Sequence, residues 1–394
     1  MSDIDRSKVW TGTLNEKALA GKPTPSLKFY DTTLRDGEQS VGVIFDPDSK
    51  LEIAKLVDSI GFQRIEAGFP RVSEDDRRAI KMIMDAGLNA EIWGFARAMA
   101  ADIEAVADLG MKYSVIESPI SDLKLKALGV SREKMLDRIS TAIKTAVDAG
   151  IYVAFFGVDS TRADLGFFEQ VYKTAQDAGA KEFVVVDTLA ISTPEAVSFL
   201  ISKAKSWLGE DAALHYHGHN DFGLGTACAI AAANAGASWV HGTIDGIGER
   251  AGNANLPEIA LTLELLYGAT TGINFDKIRP ASYRVREIAG YQLEPWKSVV
   301  GENLFIRETG AVAAQFHIPE AVEPYSSEIL NTPRGVVLGK KSGVASLSIK
   351  AKELGLEVSE DALPDLLEKV KALAISNRRL LTDEEFKGLV GAVA

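Results

Sequence analysis

The sequence is poor in cysteine, in basic residues and in long apolar runs, and each shortage excludes a class of protein. Cys228 is the only cysteine among 394 residues, so the chain can form neither an internal disulfide nor a cluster of thiolate metal ligands. The 43 lysines and arginines stand against 55 aspartates and glutamates, and the net charge of −12 argues against a basic nucleic-acid-binding surface. No segment approaches the roughly 18 uninterrupted apolar residues that a membrane span needs.

The N-terminal residues are polar and lack the apolar stretch of a secretory signal peptide. We interpret residues 1–26 as a polar N-terminal arm. Together with the single cysteine, which suits a reducing compartment, these features predict a cytoplasmic protein with no nucleic-acid partner and no membrane partner.

Segments rich in β-branched and aromatic residues alternate with segments of helical period, which predicts parallel βαβ units. Eight such units within residues 27–270 match an α/β fold, the (β/α)8 or TIM barrel. A doubly wound open sheet is the alternative, but no G-x-G-x-x-G follows the first strand, which disfavours a dinucleotide site. The predicted strands are 27–31, 64–68, 90–96, 112–117, 152–157, 182–187, 213–219 and 238–245, and the predicted helices are 47–60, 73–86, 131–149, 164–178, 194–207 and 222–235.

After residue 270 the alternation stops. Residues 275–350 combine short helical stretches with loops punctuated by glycine and proline, and residues 359–374 and 382–391 have an amphipathic helical period. We therefore predict that the barrel is followed by a mainly α-helical C-terminal appendage, residues 271–394.

In a (β/α)8 barrel the active site lies at the C-terminal ends of the strands. The first predicted strand leads into Arg35 and Asp36. A carboxylate is a hard oxygen ligand and a fixed guanidinium stabilises negative charge, so we interpret Asp36 as a metal ligand and Arg35 as an oxyanion-binding group. An ordinary surface turn is the alternative.

The seventh predicted strand carries His215, His217 and His219 at alternate positions, which places the three side chains on one face. His217 and His219 lie nearest the strand end and are the predicted metal ligands, whereas His215 lies one layer deeper. The glycine-rich loop after the eighth strand adds Asn253, whose amide oxygen can also reach a metal.

One aspartate, two histidines and an asparagine suit an octahedral divalent ion such as Mg²⁺, Mn²⁺, Co²⁺ or Zn²⁺. Such an ion can chelate a 2-oxo acid through its keto oxygen and one carboxylate oxygen and polarise the carbonyl. Glu66 and Thr188 stand at the ends of the second and sixth predicted strands, where each can line the same site or cap the next helix.

Four motifs resemble those of the DRE-TIM metallolyase superfamily, in its branch of 2-isopropylmalate, homocitrate and citramalate synthases. The resemblance covers about residues 27–350, and the later stretches VVGENLFIRETGA, EPYSSEIL and LGKKSG resemble the additional subdomain of that branch. The four barrel motifs, in chain order, are FYDTTLRDGEQS, RIEAGFPRVSEDD, HYHGHND and GTIDGIGERAGN.

The resemblance implies a Claisen-type condensation of an acyl-CoA, expected to be acetyl-CoA, with a 2-oxo acid, followed by thioester hydrolysis. It implies a divalent metal held by Asp36, His217 and His219 with Asn253 close by, and a homodimer. It gives Arg35 the role of stabilising the enolate or alkoxide. The remaining implied residues are Gln39, Arg97 and Thr188, which would hold the 2-oxo acid, Glu66, which would line the pocket, and Asp159, which could assist proton transfer.

The sequence departs from the branch at the positions where relatives carry the catalytic histidines and a tyrosine. Arginine cannot accept a proton near pH 7, so the general base is left open, with His317 as one candidate. Arg307 and Lys341 add cations, which favours an acceptor with an anionic distal end unless both residues only pair with nearby carboxylates such as Glu302 and Glu308. The departures are Arg307, Val312 and Lys341 at histidine positions, Val322 at the tyrosine position, and Ala190 at the glycine position of a D-T-x-G motif.

Three functions remain open from the sequence: a synthase with an altered base, a metal-dependent carbon–carbon lyase or aldolase of the same superfamily, and a metal-binding relative without turnover. The similar lyases use a cysteine in the loop after the eighth strand, whereas this loop has none and Cys228 lies in an apolar helical segment. The synthase is therefore favoured, and its product would be a 2-hydroxy-2-alkyl dicarboxylic or tricarboxylic acid.

Overall fold

A closed barrel of eight parallel strands forms the main part of the molecule. The computed structural model describes residues 4–209 and 211–392 of the chain. Each strand pairs with its neighbours in sequence, and β8 closes the barrel against β1 with Lys28 opposite Trp239 and Asp31 opposite Gly242. The predicted (β/α)8 fold is confirmed. The strands are β1 Lys28–Asp31, β2 Arg64–Gly68, β3 Glu91–Arg97, β4 Tyr113–Pro119, β5 Tyr152–Val158, β6 Glu182–Asp187, β7 Ala213–Gly218 and β8 Trp239–Gly242.

Helices connect the strands, and local sequence defines their ends. The α2 helix begins after Asp46, whose side chain accepts a hydrogen bond from the Ser49 backbone, and it ends at Gly61, which adopts a left-handed φ of 95°. The helices of this part are α1 Leu14–Leu19, α2 Pro47–Ile60, α3 Glu74–Asp85, α4 Ala100–Asp108, α5 Asp122–Leu128, α6 Arg132–Asp148, α7 Leu165–Asp177, α8 Pro194–Leu208, α9 Gly225–Asn234, α10 Leu256–Leu266 and α11 Ile278–Ala289.

The sequence analysis gave no bounds for five of these helices, α1, α4, α5, α10 and α11, although a helix was expected after each strand. The α4 and α5 helices have 9 and 7 residues, too short for a clear helical period. The α10 helix is apolar on most sides because it is largely buried, so it lacks a polar face. The β8 strand also ends earlier than predicted, because the Thr243 backbone turns away to donate to the Ala254 carbonyl.

The barrel interior is filled by side chains rather than open. An aromatic and aliphatic core lies at mid-height, where Tyr30, Trp93, Val115 and Phe156 are buried. Below it, at the N-terminal ends of the strands, the Arg64 guanidinium lies between Trp93 and Trp239 and bonds to Glu182. The strands finish at the opposite end, which is where the active sites of this fold lie.

The chain divides into two compact units, one of residues 15–292 and one of residues 4–14 with 293–392. The barrel unit extends past the predicted boundary at residue 270, because α11 packs on α2 and Arg284 pairs with Glu52 at 2.6 Å. Residues 4–14, predicted as part of a separate arm, belong to the second unit, where the Trp10 backbone donates to the Pro324 carbonyl.

The second unit is mainly helical and has its own core, in which Leu347, Leu366 and Phe386 are buried. Its small parallel sheet pairs β9 with β10. No helix in the described ranges is long and apolar enough to cross a membrane. The elements of this unit are β9 Ile306–Arg307, α12 Gly310–Ala313, β10 Gly335–Val336, α13 Val344–Glu353, α14 Leu363–Asn377 and α15 Asp383–Gly391.

Candidate active site

Asp36, His217 and His219 come together at the C-terminal mouth of the barrel. Asp36 lies in the turn after β1, where its backbone donates to the Thr32 carbonyl at 2.8 Å. Its Oδ2 atom lies 3.2 Å from His217 Nε2 and 3.8 Å from His219 Nε2. All three side chains are buried, and one ligand atom from each lies within 4.8 Å of the others. This spacing allows one ion to contact all three.

Asn253 joins this group because its backbone forms a β-bridge with His219. Its amide nitrogen donates to the Ile247 carbonyl at 3.2 Å, which leaves the oxygen as the acceptor. Asn253 Oδ1 and Asp36 Oδ2 are buried oxygens that receive no hydrogen bond from the described residues. Two unsatisfied oxygens beside two imidazole nitrogens are a donor set that fits a divalent cation.

The protonation states of these groups also fit a cation. Burial opposes ionisation of Asp36, but Arg35 and His217 outweigh it and hold the pKa of Asp36 well below its usual range. Burial lowers the pKa of His219 to about 4, against the smaller opposing effect of Asp36. A charged carboxylate and a neutral imidazole are the ligand forms that metals bind.

Arg35 lies beside this cluster and is held on several sides. Its Nε donates to Glu66 Oε1 at 2.5 Å and its Nη1 lies 3.2 Å from Asp36 Oδ1. Its guanidinium stacks 4.4 Å from the Phe95 ring centre. The Nη2 atom is buried and has no hydrogen-bond partner in the described chain. Arg35 thus keeps a donor group that a ligand at the mouth could engage.

Glu66 lies on β2, is fully buried, and accepts a hydrogen bond from Arg35. Burial raises the pKa of Glu66, although Arg35 opposes the shift. Its second oxygen, Oε2, has no hydrogen-bond partner among the described residues. Glu66 therefore both orients Arg35 and presents an acceptor at the barrel mouth.

Thr188 and Asp159 form a separate group at the ends of β6 and β5. The Asp159 backbone donates to the Thr188 hydroxyl at 2.8 Å. The Asp159 carboxylate receives Arg162 Nη2 at 2.7 Å and the Ser121 hydroxyl. Because both carboxylate oxygens are already engaged, the geometry favours a loop-positioning role for Asp159 over the proton-transfer role that the resemblance implies.

Arg97 and Gln39 lie farther out. Arg97 ends β3, is half-exposed, and pairs with Asp102 through Nε at 2.7 Å. Gln39 is exposed and lines a cavity of about 490 Å³ next to Arg35 and Lys50. The structure therefore links Arg35, Asp36, Glu66, His217, His219 and Asn253 directly. Around them lie Gln39, Arg97, Thr188 and Asp159, of which Gln39 reaches the cluster through its backbone, which donates to the Asp36 carbonyl at 3.2 Å.

His215 lies one layer below the cluster, as expected from its strand position. Its Nε2 atom lies 2.9 Å from Glu182 Oε2, and its Nδ1 lies 2.9 Å from His241 Nε2. Burial lowers the pKa of His215, against the opposing effect of Glu182, and burial also lowers the pKa of His241. His241, on β8, is a buried neighbour that sequence reasoning passed over.

Glu117 is a second residue that sequence reasoning missed. It is the fifth residue of β4 and alternates with Tyr113 and Val115, of which Val115 belongs to the barrel core. This alternation turns Glu117 toward the interior, near the strand end. The signal was present in the sequence, because a carboxylate near the end of a predicted barrel strand is the feature that pointed to Glu66.

In the second unit the substituted positions have internal partners. The Arg307 guanidinium donates to the backbone carbonyls of Leu304 and Val322, among others, and does not pair with Glu302. Lys341 pairs with Glu308 at 2.9 Å. His317 is exposed. The two added cations therefore stabilise loops of their own unit.

The chain is similar to several known synthases. The chain is 41% identical to the homocitrate synthase of Methanopyrus kandleri, with 92% of this chain and 91% of that protein aligned. It is 37% identical to a putative (R)-citramalate synthase of the same organism, over 93% of this chain and 72% of that protein. It is 38% identical to the 2-isopropylmalate synthase of Methanocaldococcus jannaschii, over 95% of this chain and 73% of that protein.

Among solved structures, the HMG-CoA lyase of Bacillus subtilis aligns with a TM-score of 0.62 over 69% of this chain and 96% of that one. The two sequences are 18% identical, so this likeness concerns the fold.

Fold and site together define a (β/α)8 barrel enzyme with an Asp/His/His cluster at the mouth. The profile of the family described as HMGL-like matches residues 26–285. The chain belongs to this family and to its homocitrate, citramalate and 2-isopropylmalate synthase branch within the DRE-TIM superfamily, and it is an enzyme of the acyltransferase class.

Proposed function

We propose that the protein catalyses a divalent-metal-dependent Claisen-type condensation of an acyl-CoA, expected to be acetyl-CoA, with a 2-oxo acid. The products would be CoA and a 2-hydroxy-2-alkyl dicarboxylic or tricarboxylic acid. The observation that carries the proposal is the meeting of Asp36, His217, His219 and the unsatisfied Asn253 oxygen beside the free Nη2 of Arg35. Metal ligands and an anion-binding group are both needed to activate a keto carbonyl.

The proposed metal ligands are Asp36, His217, His219 and Asn253, and a bound ion would supply Lewis-acid polarisation of the keto group. The chain's own groups supply the rest. Arg35 donates its free N–H group to the oxygen that gains negative charge as the new carbon–carbon bond forms. The Glu66 contact and the Phe95 ring hold the guanidinium in place, so this donor needs no reorganisation during the reaction.

The proposed 2-oxo acid contacts are Gln39, Arg97 and Thr188, with Glu66 at the wall. Arg97 is supported by its pairing with Asp102, which fixes the guanidinium at the end of β3. The proposed contact of Thr188 with the 2-oxo acid is supported by its position directly after β6, at the mouth of the barrel. The pairing of Arg307 and Lys341 inside their own unit weakens the argument for an anionic distal end. The identity of the 2-oxo acid therefore rests on experiment.

The metal, the homodimer and the cytoplasmic location belong to the same proposal. Mg²⁺, Mn²⁺, Co²⁺ and Zn²⁺ are all compatible with one carboxylate, two imidazoles and an amide oxygen. Homocitrate synthase and its relatives named above support the acetyl-CoA donor.

The proposed reaction is tested by measuring CoA release from acetyl-CoA with each of the four divalent metals. The 2-oxo acid panel contains 2-oxoglutarate, oxaloacetate, pyruvate and 2-oxoisovalerate, and Arg307→Ala is assayed beside the wild type. We expect metal-dependent CoA release that requires one oxo acid, with the same order of preference in both proteins. Absence of oxo-acid-dependent release, together with metal-dependent cleavage of a 2-hydroxy acyl thioester, would replace the synthase by the lyase alternative.

A further inference from the structure

The general base of the reaction is the group that sequence reasoning left open. The second unit does not supply an evident candidate, since the Arg307 guanidinium is engaged with backbone carbonyls and His317 is exposed. Near pH 7 an unengaged carboxylate is the other common proton acceptor in proteins. A carboxylate at the barrel mouth whose oxygens are not already hydrogen-bonded could therefore act as the base.

Most carboxylates at the strand ends are occupied. Each one bonds to an arginine, to backbone N–H groups or to the proposed metal ligands, so none has both oxygens free. The occupied groups are Asp36 in the metal cluster, Glu66 with Arg35, Asp102 with Arg97, Asp159 with Arg162, and Asp187 with the backbones of Ile191 and Ser192.

Glu117 differs from this group. Within the described ranges its carboxylate has no hydrogen bond and no ion pair. It is partly buried near the end of β4. Its register neighbours are Arg97 on β3 and Phe156 on β5, and the Phe156 ring packs 4.9 Å from the His217 ring centre. Glu117 is thus one side chain away from the proposed metal cluster.

Glu117 and the guanidinium of Arg35 lie at about the same height along the barrel axis. Arg35 stacks on Phe95, and Phe95 lies opposite Val115 in the register of β3 and β4. Glu117 is the next inward-facing residue after Val115. The guanidinium above Phe95 and the carboxylate above Val115 therefore face the same space.

Charges around Glu117 favour a proton acceptor of intermediate strength. Burial raises the pKa of Glu117, and Asp102 adds to this effect. Arg35, Arg97 and Lys124 oppose it, so they keep the carboxylate available as the charged form. A carboxylate with a raised pKa accepts a proton from carbon more readily than a fully solvated one.

We infer that Glu117 is the catalytic base that removes the proton from the acyl-CoA methyl group, an inference that rests on the condensation proposed above. The C–H bond breaks, its proton moves to a Glu117 oxygen, and its electron pair forms the new bond to the keto carbon. The carbonyl π pair moves to the keto oxygen beside Arg35, and that oxygen then takes the proton from Glu117. Water later cleaves the thioester and releases CoA.

The test compares Glu117→Gln with the wild type in two assays. One follows deuterium incorporation into the acetyl-CoA methyl group in D₂O by mass spectrometry, with each oxo acid of the panel and Mg²⁺ or Zn²⁺. The other follows CoA release. The matched control is Glu104→Gln, an exposed glutamate on α4. Glu117→Asp provides a variant that keeps the carboxylate but moves it.

We expect Glu117→Gln to slow both exchange and CoA release about 10²- to 10⁴-fold, with KM for the oxo acid nearly unchanged. Glu117→Asp should recover part of the loss, and Glu104→Gln should match the wild type. Unfolding temperature should not fall in Glu117→Gln, because the variant removes an unpaired carboxylate.

Three results would overturn the assignment: wild-type rates in Glu117→Gln, loss of CoA release with methyl exchange retained, or no exchange in the wild type. The two proposals fail separately. Glu117-dependent exchange without any CoA release would reject the condensation and keep the base, whereas CoA release that ignores Glu117 would do the reverse.

Discussion

At the residue scale, the mouth of the barrel keeps buried polar atoms that the protein itself does not satisfy. Asp36 Oδ2, Asn253 Oδ1 and Arg35 Nη2 are of this kind. Each unsatisfied buried group costs about 1–3 kcal/mol of stability. Three of them at the barrel mouth support the metal binding and the anion binding proposed above.

His217→Ala tests the metal cluster. Removing one of two imidazole ligands should abolish stoichiometric metal binding and lower kcat by more than the roughly 10–100-fold expected for an outer hydrogen-bond partner. Metal content by mass spectrometry and steady-state kinetics measure the two effects, and circular dichroism checks that the variant is folded. The matched control is His317→Ala, an exposed histidine of the second unit. Full activity with unchanged metal content in His217→Ala would reject the assignment.

Arg35→Lys tests the oxyanion role. Lysine keeps the positive charge but lacks the planar guanidinium. In Arg35 that group contacts Glu66 through Nε, while its Nη2 has no partner in the described chain. We expect kcat to fall about 10²- to 10³-fold with a smaller change in KM, because the lost donor acts mainly in the transition state. Arg132→Lys, a surface pair with Asp122, is the control. A kcat within twofold of the control would contradict the role.

At the scale of elements, the N-terminal ends of the strands are closed by a charged plug. Arg64 on β2 donates to both oxygens of Glu182 on β6 and stacks 3.6 Å from the Trp239 ring centre. His215 on β7 completes the contacts of Glu182. Three strands are thereby tied together below the site, which holds the strand ends above at fixed positions.

This plug predicts a pH dependence of stability. Burial opposes the charge on Glu182, but His215 and Arg64 outweigh it and lower the pKa of Glu182 to about 2. A depressed carboxyl pKa adds stability above the unfolded value and loses it as pH falls toward the folded one. The free energy of unfolding should therefore fall between pH 4.5 and pH 2, and we expect about 2 kcal/mol of this from Glu182.

Urea unfolding at pH 7 and at several values below pH 4.5 measures the effect. Glu182→Gln should be about 3 kcal/mol less stable at pH 7, because the buried Arg64 loses this charged partner and keeps only weaker compensation from Glu91 at the surface. The stability of the variant should also change less as the pH falls. Glu104→Gln should follow the wild type. An identical acid slope in Glu182→Gln and wild type would disprove the role of the plug.

At the scale of the whole molecule, the described chain has two units, each with its own core. The two small strands and four helices of the second unit form a surface that a lone barrel does not need. Together with the branch to which the chain belongs, this supports the proposed homodimer. Light scattering at micromolar concentration should give about twice the chain mass of 42.3 kDa or a multiple of it. A monomeric mass would refute this prediction.

Local sequence was sufficient for the barrel and for the centre of its site. Strand and helix periods repeat eight times, and a repeated βα unit has few ways to close. His217 and His219 were found because alternation along a strand fixes their common face, and Asp36 was found because strand ends in this fold converge. The barrel and these three site residues could be predicted because each inference depends on the geometry of residues that are close in the sequence.

Tertiary structure decided which of the predicted groups are free to act. Asp159 and Arg307 looked like candidates in the sequence, but Arg162 and the backbone carbonyls engage them. Glu117 was not singled out in the sequence, yet the described structure leaves its carboxylate without a hydrogen bond. The availability of a charged group depends on partners that come from distant parts of the chain, and only folding brings those partners to it.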